Sequence, residues 1–203
     1  ISDYNRPNGE QIHKGLMLIL FGLSKKILVA NKLALISDTF YYSPSNYSSG
    51  AAVLSIFSYS WQLYMDFSGY IDIAIGCSLL LGINLSQNFR KPYLSVSLRD
   101  FWRKWHITLH VWFVHYVYKP LLEMNWPNRL VVFLVFLLSG IWHGASYMFL
   151  FWALGHFIFY EFERMFRSMF RVPKVFRVIT TFILVSILWV PFRSPDYHTL
   201  ILV

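Results

Sequence analysis

Thirty-one consecutive residues, Leu130 to Tyr160, contain no Asp, Glu, Lys or Arg. About 20 apolar residues of helix cross the hydrocarbon core of a bilayer, so a run of this length is read as membrane-spanning. As one straight helix it would measure about 46 Å, against a core of about 30 Å. It must therefore tilt, break or turn back. The natural break is Gly140-Ile141-Trp142-His143-Gly144, where two glycines flank a titratable imidazole. A polar group at bilayer depth is costly and faces a bundle interior or a water-filled path. The run predicts a membrane protein in which His143 acts on a substrate or a proton below the bilayer surface.

The rest of the chain points the same way. Charged residues make up 14% of the whole chain, against about 25% in soluble domains. The expected fold is all-α: a polytopic transmembrane bundle of broken and tilted helices. The net charge of +8 does not argue for nucleic acid. Lys and Arg cluster between apolar runs, as the positive-inside rule expects of cytoplasmic loops. Cys77 is the single cysteine, which excludes an intrachain disulfide and a thiolate metal cluster. No signal peptide is visible at the polar start, Ser2 to Glu10, and the chain stops in apolar Leu200 to Val203. Both ends read as cuts, so residues 1–203 are expected to be one membrane domain from a larger protein.

The first element is expected from Gln11 to about Phe40. Lys25, Lys26 and Lys32 interrupt it, which suits a tilted or interfacial amphipathic helix. Ala51–Met65 reads as a membrane helix, with Gly69 as a break between Asp66 and Asp72. Six residues are about 600° of helix, so the two carboxylates share no face. Asp66 closes the longer apolar run and is the one expected to be buried. A basic loop follows, with Arg90, Lys91, Arg99, Arg103 and Lys104, and runs into a helix from Asp100 to about Leu122. Asn125 and Pro127 mark a turn. A second basic loop holds Arg164, Arg167, Arg171, Lys174 and Arg177. Val178 to Phe192 is a helix ended by Pro191. If the segments after Lys104 and after Arg129 each cross once, both basic loops lie on the cytoplasmic side.

Seven histidines occur. His106 and His110 are four apart, one face of a helix and a spacing that zinc can use. No third ligand is evident, so no metal is expected. His110 and His115 read as parts of an aromatic helix surface, and His156 as a histidine hydrogen-bonded inside a packed bundle. His106 ends Arg99-Asp100-Phe101-Trp102-Arg103-Lys104-Trp105-His106. That alternation of cations and indoles suits an anionic or phosphate-bearing ligand, or a Trp and Lys/Arg membrane anchor. His143 is the best general base. A neutral imidazole accepts a proton from a hydroxyl and returns it near neutral pH, and flanking glycines leave room for substrate.

Four segments in order carry a resemblance: Tyr59-Ser60-Trp61-Gln62-Leu63-Tyr64-Met65-Asp66-Phe67-Ser68-Gly69-Tyr70-Ile71-Asp72; Asn88-Phe89-Arg90-Lys91-Pro92-Tyr93; Phe101-Trp102-Arg103-Lys104-Trp105-His106-Ile107-Thr108-Leu109; and Trp142-His143-Gly144. Over roughly Gly15 to Glu163 the chain resembles the membrane-bound O-acyltransferases. The nearest branch is the bacterial one that acetylates exported polysaccharides such as alginate; a sister branch transfers D-alanine to teichoic acid. The resemblance implies a multi-pass inner-membrane enzyme with a central tunnel. It would move an acetyl or similar acyl group from a cytoplasmic thioester, acetyl-CoA or an acyl carrier, to an acceptor hydroxyl. No bound cofactor is implied, and a periplasmic acetyltransferase partner and a polysaccharide acceptor are.

His143 matches the family's catalytic histidine and His106 its second histidine. Asn88, Trp105 and Gln62 are candidates to position donor or acceptor, with Trp142 and Arg103 beside them. Asp66 is a candidate to orient a histidine. No Ser/His/Asp order is identifiable, so direct transfer is expected rather than an acyl-enzyme. The chain departs from the branch pattern at Trp112-Phe113-Val114-His115-Tyr116 and Lys119-Pro120-Leu121-Leu122-Glu123, where an arginine, a carboxylate and a glycine turn are usual. Two rival readings remain: a transporter or proton-conducting subunit that uses the intramembrane histidines, and a non-catalytic assembly subunit.

Overall fold

The computed structural model describes residues 6–166 and 172–203, and every regular element among them is helical. Arg167 and Arg171 of the second basic loop lie outside the described residues. The chain forms two compact units, one of Ile1–Ser43 with Gly50–Asn88, the other of Pro44–Ser49 with Phe89–Val203.

In the first unit, α1 (Gly9–Ser24) runs through a π-helical turn (Lys25–Ala30) into α2 (Asn31–Tyr42). A capping box starts it. The Asn8 side chain accepts from the Gln11 N–H at 2.8 Å, and the Gln11 side chain accepts from the Asn8 N–H at 3.0 Å, satisfying two orphan donors. The break expected at Gly69 does not occur: α3 (Ser49–Leu80) is continuous over 32 residues. Gly69 serves a close helix crossing instead. A Cβ on Gly22 would lie 2.5 Å from the Gly69 carbonyl oxygen, and one on Gly15 2.8 Å from that of Gly76. The pairing 15 with 76 and 22 with 69 makes α1 and α3 antiparallel, joined along a glycine seam. Small residues let helix backbones approach in this way within a bilayer.

Ion pairs straddle that seam. Lys25 Nζ meets Asp72 at 2.5 Å, and Lys26 pairs with Asp66. Asp66 and Asp72 are about 120° apart around α3, and adjacent lysines on the partner helix reach one each. The expected burial is reversed: the Asp72 side chain is 22% exposed and that of Asp66 52%. The length of an apolar run says nothing about which side of the helix meets α1.

In the second unit, α7 (Asn128–His143) and α8 (Tyr147–Phe166) settle how the uncharged run fits. It turns back. Arg129 Nε lies 3.4 Å from the Glu161 carboxylate, the Phe133 and Phe157 rings are 5.2 Å apart, and a Cβ on Gly140 would meet the Phe149 carbonyl oxygen at 2.7 Å. These pairs define an antiparallel hairpin. Its tip needs Gly144, whose φ of +153° suits glycine and whose missing side chain leaves room for the Phe149 ring. Beyond it, α9 (Lys174–Arg193) runs antiparallel to α8, with Trp152 stacked on Trp189 at 5.9 Å and Phe149 against Phe192 at 5.1 Å. Pro191 does not end α9; it sits inside the last turn. The chain closes with α10 (Tyr197–Leu202), capped by Asp196.

The helix expected from Asp100 to Leu122 is broken. It comprises α4 (Leu98–Trp102), a turn through His106, α5 (Ile107–Phe113), a π-helical turn (Val114–Tyr118) and α6 (Lys119–Glu123). His106 stands in the left-handed region at φ 45°, which no helix can continue through. The Leu98 N–H donates to the Glu163 carboxylate at 2.6 Å, Trp102 packs on Phe136 and Trp152, and the His106 ring reaches 6.2 Å from Trp142. The Tyr118 hydroxyl then bonds Asn128 at 3.0 Å. The segment thus runs in along the hairpin to a tip at His106 and back out, so it begins and ends at the same end of the hairpin. Its start, Arg129, Arg164 and Lys174 all lie at one end of the helix layer. The turn before α7 forms without glycine, because Asn125 takes φ 60° there, a conformation Asn tolerates.

Candidate active site

His143 is the last residue of α7, half-buried among aromatic rings. Ring centroids of Trp142 and Phe192 lie 4.9 Å away, Trp152 5.3 Å and Phe149 6.0 Å. The hairpin and the end of α9 place these groups together. Phe192, 49 residues further along the chain, carries no local signal that would reveal it. His106 comes from the opposite side, on the tip of the re-entrant segment. Trp142 contacts both, its ring 6.2 Å from that of His106 and 4.9 Å from that of His143.

The left-handed backbone of His106 is a strained conformation for a residue with a Cβ. Such strain costs about 1–3 kcal/mol and persists where surrounding contacts over-determine it, often at active sites. Here the surrounding contacts are the capped start of α4 and the return through α5. Ser97 caps α4 by accepting from the Asp100 N–H at 2.9 Å, and the Arg90 N–H donates to the Lys104 carbonyl at 3.0 Å.

A cavity of about 290 Å³ opens between the re-entrant segment and the hairpin. Arg99, Arg103, His106, His110, Tyr160 and Ser139 supply its polar wall. Ser139 is one turn before His143 on α7, so the cavity stops one turn short of that ring. No ion pair joins Arg99 or Arg103 to a carboxylate among the described residues. Both guanidiniums therefore present positive charge to the cavity, with the Asp100 carboxylate in electrostatic reach of Arg103. Arg99, Ser139 and Tyr160 were not singled out from sequence; the basic run around Arg99 was the one available signal.

The structure brings together His106, His143, Trp142, Trp105 and Arg103. Trp105 is buried with its face on Phe101 at 5.5 Å and its edge near Phe89 at 5.1 Å, so it braces the cavity from the aromatic core. The remaining candidates belong to the first unit. Gln62 accepts from the Ser37 hydroxyl of α2, Asp66 is committed to Lys26, and Asn88 is buried at the unit's end. His106 and His110 do not form one helical face, because His106 precedes α5; its carbonyl accepts the His110 N–H at 3.0 Å. His156 is fully buried, but neither ring nitrogen has a hydrogen-bond partner among the described residues. That corrects the expectation of a hydrogen-bonded histidine, since its neighbours are aromatic rings.

Known proteins align with this chain in sequence. The family model described as MBOAT, membrane-bound O-acyltransferase family, matches residues 11–191. A peptidoglycan O-acetyltransferase of Helicobacter pylori is 37% identical over 201 residues, covering 95% of this chain and 38% of the relative. A probable alginate O-acetylase of Pseudomonas aeruginosa is 36% identical over 192 residues, 92% of this chain and 37% of the relative. A teichoic acid D-alanyltransferase of Bacillus subtilis is 37% identical over 114 residues, 51% of this chain and 29% of the relative. The chain thus spans well under half the length of these relatives.

Proposed function

The chain belongs to the membrane-bound O-acyltransferase family, and from that premise we propose that it carries the catalytic histidines of an enzyme that acylates a cell-surface polysaccharide. The observation that carries this reading is the convergence on Trp142 of His143, at a helix end, and His106, at a strained tip, beside a cavity lined by Arg99 and Arg103. The polymers named for the relatives, peptidoglycan, alginate and teichoic acid, support an acceptor hydroxyl on a polysaccharide or related polymer.

The chemistry is direct transfer. His143 takes the proton of the acceptor hydroxyl as its oxygen attacks the thioester carbonyl. The tetrahedral oxyanion accepts a hydrogen bond from His106. The intermediate collapses with cleavage of the C–S bond, and the proton passes from His143 to the departing thiolate. An acetyl-CoA or acyl-carrier thioester enters from the cytoplasmic side. Arg99 and Arg103 hold its phosphate end, as guanidiniums do with planar or bidentate oxyanions. In this reading the protein is a multi-pass bundle of the bacterial inner membrane, with a tunnel past both histidines and a periplasmic acetyltransferase partner. Two described helices, Ser49–Leu80 and Lys174–Arg193, are long and apolar enough to cross a membrane, which supports it.

The deciding experiment quantifies ester-linked acetyl groups on surface polysaccharide in cells carrying the full-length protein. His143→Ala should reduce them by about 100-fold or more at unchanged protein abundance. Unchanged ester content would overturn the catalytic role; loss of a pH-dependent flux in its place would favour a transporter.

A further inference from the structure

His156 sits on α8 four residues after Trp152, 0% exposed, and neither imidazole nitrogen has a hydrogen-bond partner among the described residues. Burying a polar ring unsatisfied is costly, whereas phenylalanine would fill the same space without that cost. Packing alone therefore disfavours histidine here, and an orphaned buried polar group calls for an explanation. The ring's neighbours are aromatic. Trp102 lies at 5.0 Å and 72°, Trp152 at 5.1 Å and 68°, Trp189 at 6.0 Å and 63°, and Phe136 stacks at 6.0 Å and 10°. The indole nitrogens of Trp102, Trp152 and Trp189 are likewise buried without acceptors. Trp152 and Trp189 stack on each other, and His156 meets all three indoles by edge-to-face contacts. These are directional, because the positive N–H edge of one ring prefers the negative face of another.

Two of those rings touch the site. Trp152 stands edge-on to His143 at 5.3 Å and 84°, and Trp102 lines the cavity that also holds His106. His156 lies directly behind both. We propose that His156 is a positioning residue of the acyl-transfer site: it fixes the orientation of Trp152 against His143 and of Trp102 in the cavity wall. The role rests on the function proposed above. It asks of His156 a polar edge in a fixed direction, which an apolar ring cannot supply.

The test compares His156→Phe, His156→Leu and His156→Gln in the full-length protein, purified in detergent with its acyl donor and acceptor. Thermal stability, kcat, KM and the rate at which diethylpyrocarbonate modifies His143, read by mass spectrometry, are all measured. The apolar variants should keep or raise stability and lower kcat by about tenfold or more, with KM within about twofold. They should change His143 modification by about threefold or more, and His156→Gln, which restores a polar edge, should recover kcat to within about threefold. An apolar variant with wild-type kcat and modification rate overturns the proposal. So does loss of folding in both apolar variants but not in His156→Gln, since His156 would then be a folding determinant. The modification rate needs no acyl transfer. A wild-type protein inert towards acyl donors, yet with shifted His143 modification in the variants, would sink the enzymatic reading and leave the positioning intact.

Discussion

At His106 backbone and side chain make opposite demands. The φ of 45° favours glycine, yet an imidazole is there. Left-handed strain in a residue with a Cβ costs about 1–2 kcal/mol, while glycine costs about 0.5–1 kcal/mol in unfolded-state entropy. His106→Gly should therefore be at least as stable as His106→Ala, the reverse of the order at an ordinary helical position. Both should lose about 100-fold or more in acyl transfer. Thermal melts of the two variants, run beside transfer rates, check this. The same residue shows what a sequence conceals. The Trp-Arg-Lys-Trp-His run was legible as a functional segment. Its left-handed turn was not, because no glycine, proline or asparagine marks it, and the break is imposed by contacts at Glu163, Trp142 and Asn128.

The helices, taken as elements, are built around close approaches. A Cβ at Gly22 would meet the Gly69 carbonyl oxygen at 2.5 Å and Ile73 Cγ1 at 2.7 Å, whereas one at Gly9 meets nothing within 4 Å. Gly22→Ala should destabilise the protein by about 1–3 kcal/mol through overpacking, and Gly9→Ala should change stability by less than about 0.5 kcal/mol. Detergent melting curves separate the two. A second prediction concerns α4, at the entrance of the re-entrant segment and outside the spanning helices. Burial pushes the Asp100 carboxyl up, but hydrogen bonds from Lys104 and the Val96 N–H, with the charges of Lys104 and Arg103, outweigh it and hold the carboxyl below its ordinary range. A depressed folded-state pKa adds stability that is present above the ordinary value of 3.8 and is lost as pH falls below it. Asp100→Asn should thus be less stable than wild type at pH 7, with the difference shrinking once the pH drops below that value. A gap that stays constant with pH would show that the carboxylate charge contributes nothing. Helix seams of this kind are partly legible: of the two glycines that mark the expected break at Gly140–Gly144, Gly144 forms the turn, while Gly140 stays inside α7 as a close contact with Phe149. Gly69 was read as a break and is a contact, since a glycine serves either purpose and only the partner helix tells which.

Across the second unit, α7 and α9 run parallel to each other and antiparallel to α8, which puts Arg129 and Lys174 at one end and Tyr197 near the other, its ring 6.4 Å from Phe151. Single cysteines in a Cys77→Ser background should show the consequence. Arg129→Cys and Lys174→Cys should react with a membrane-impermeant thiol reagent from the cytoplasmic side, and Tyr197→Cys from the opposite side. Labelling of Lys174→Cys and Tyr197→Cys from one side would mean that α9 does not span. The clustering of Lys and Arg leads to the expectation of a common side for the basic segments; in the structure the hairpin and the re-entrant segment bring Leu98, Arg129, Arg164 and Lys174 to one end of the helix layer, and the labelling tests whether that end is cytoplasmic.

By itself the sequence determined that most of this chain is apolar helix, and that its uncharged run is too long to cross a bilayer core as one straight helix. Composition and chain length impose both, whatever the neighbours are. The tertiary structure alone decided that His106 is carried back to Trp142, that Asp72 is more buried than Asp66, and that His156 lies unpartnered behind both walls of the site. Each depends on which faces of distant segments meet, and a linear pattern of residue types does not encode which face will be chosen.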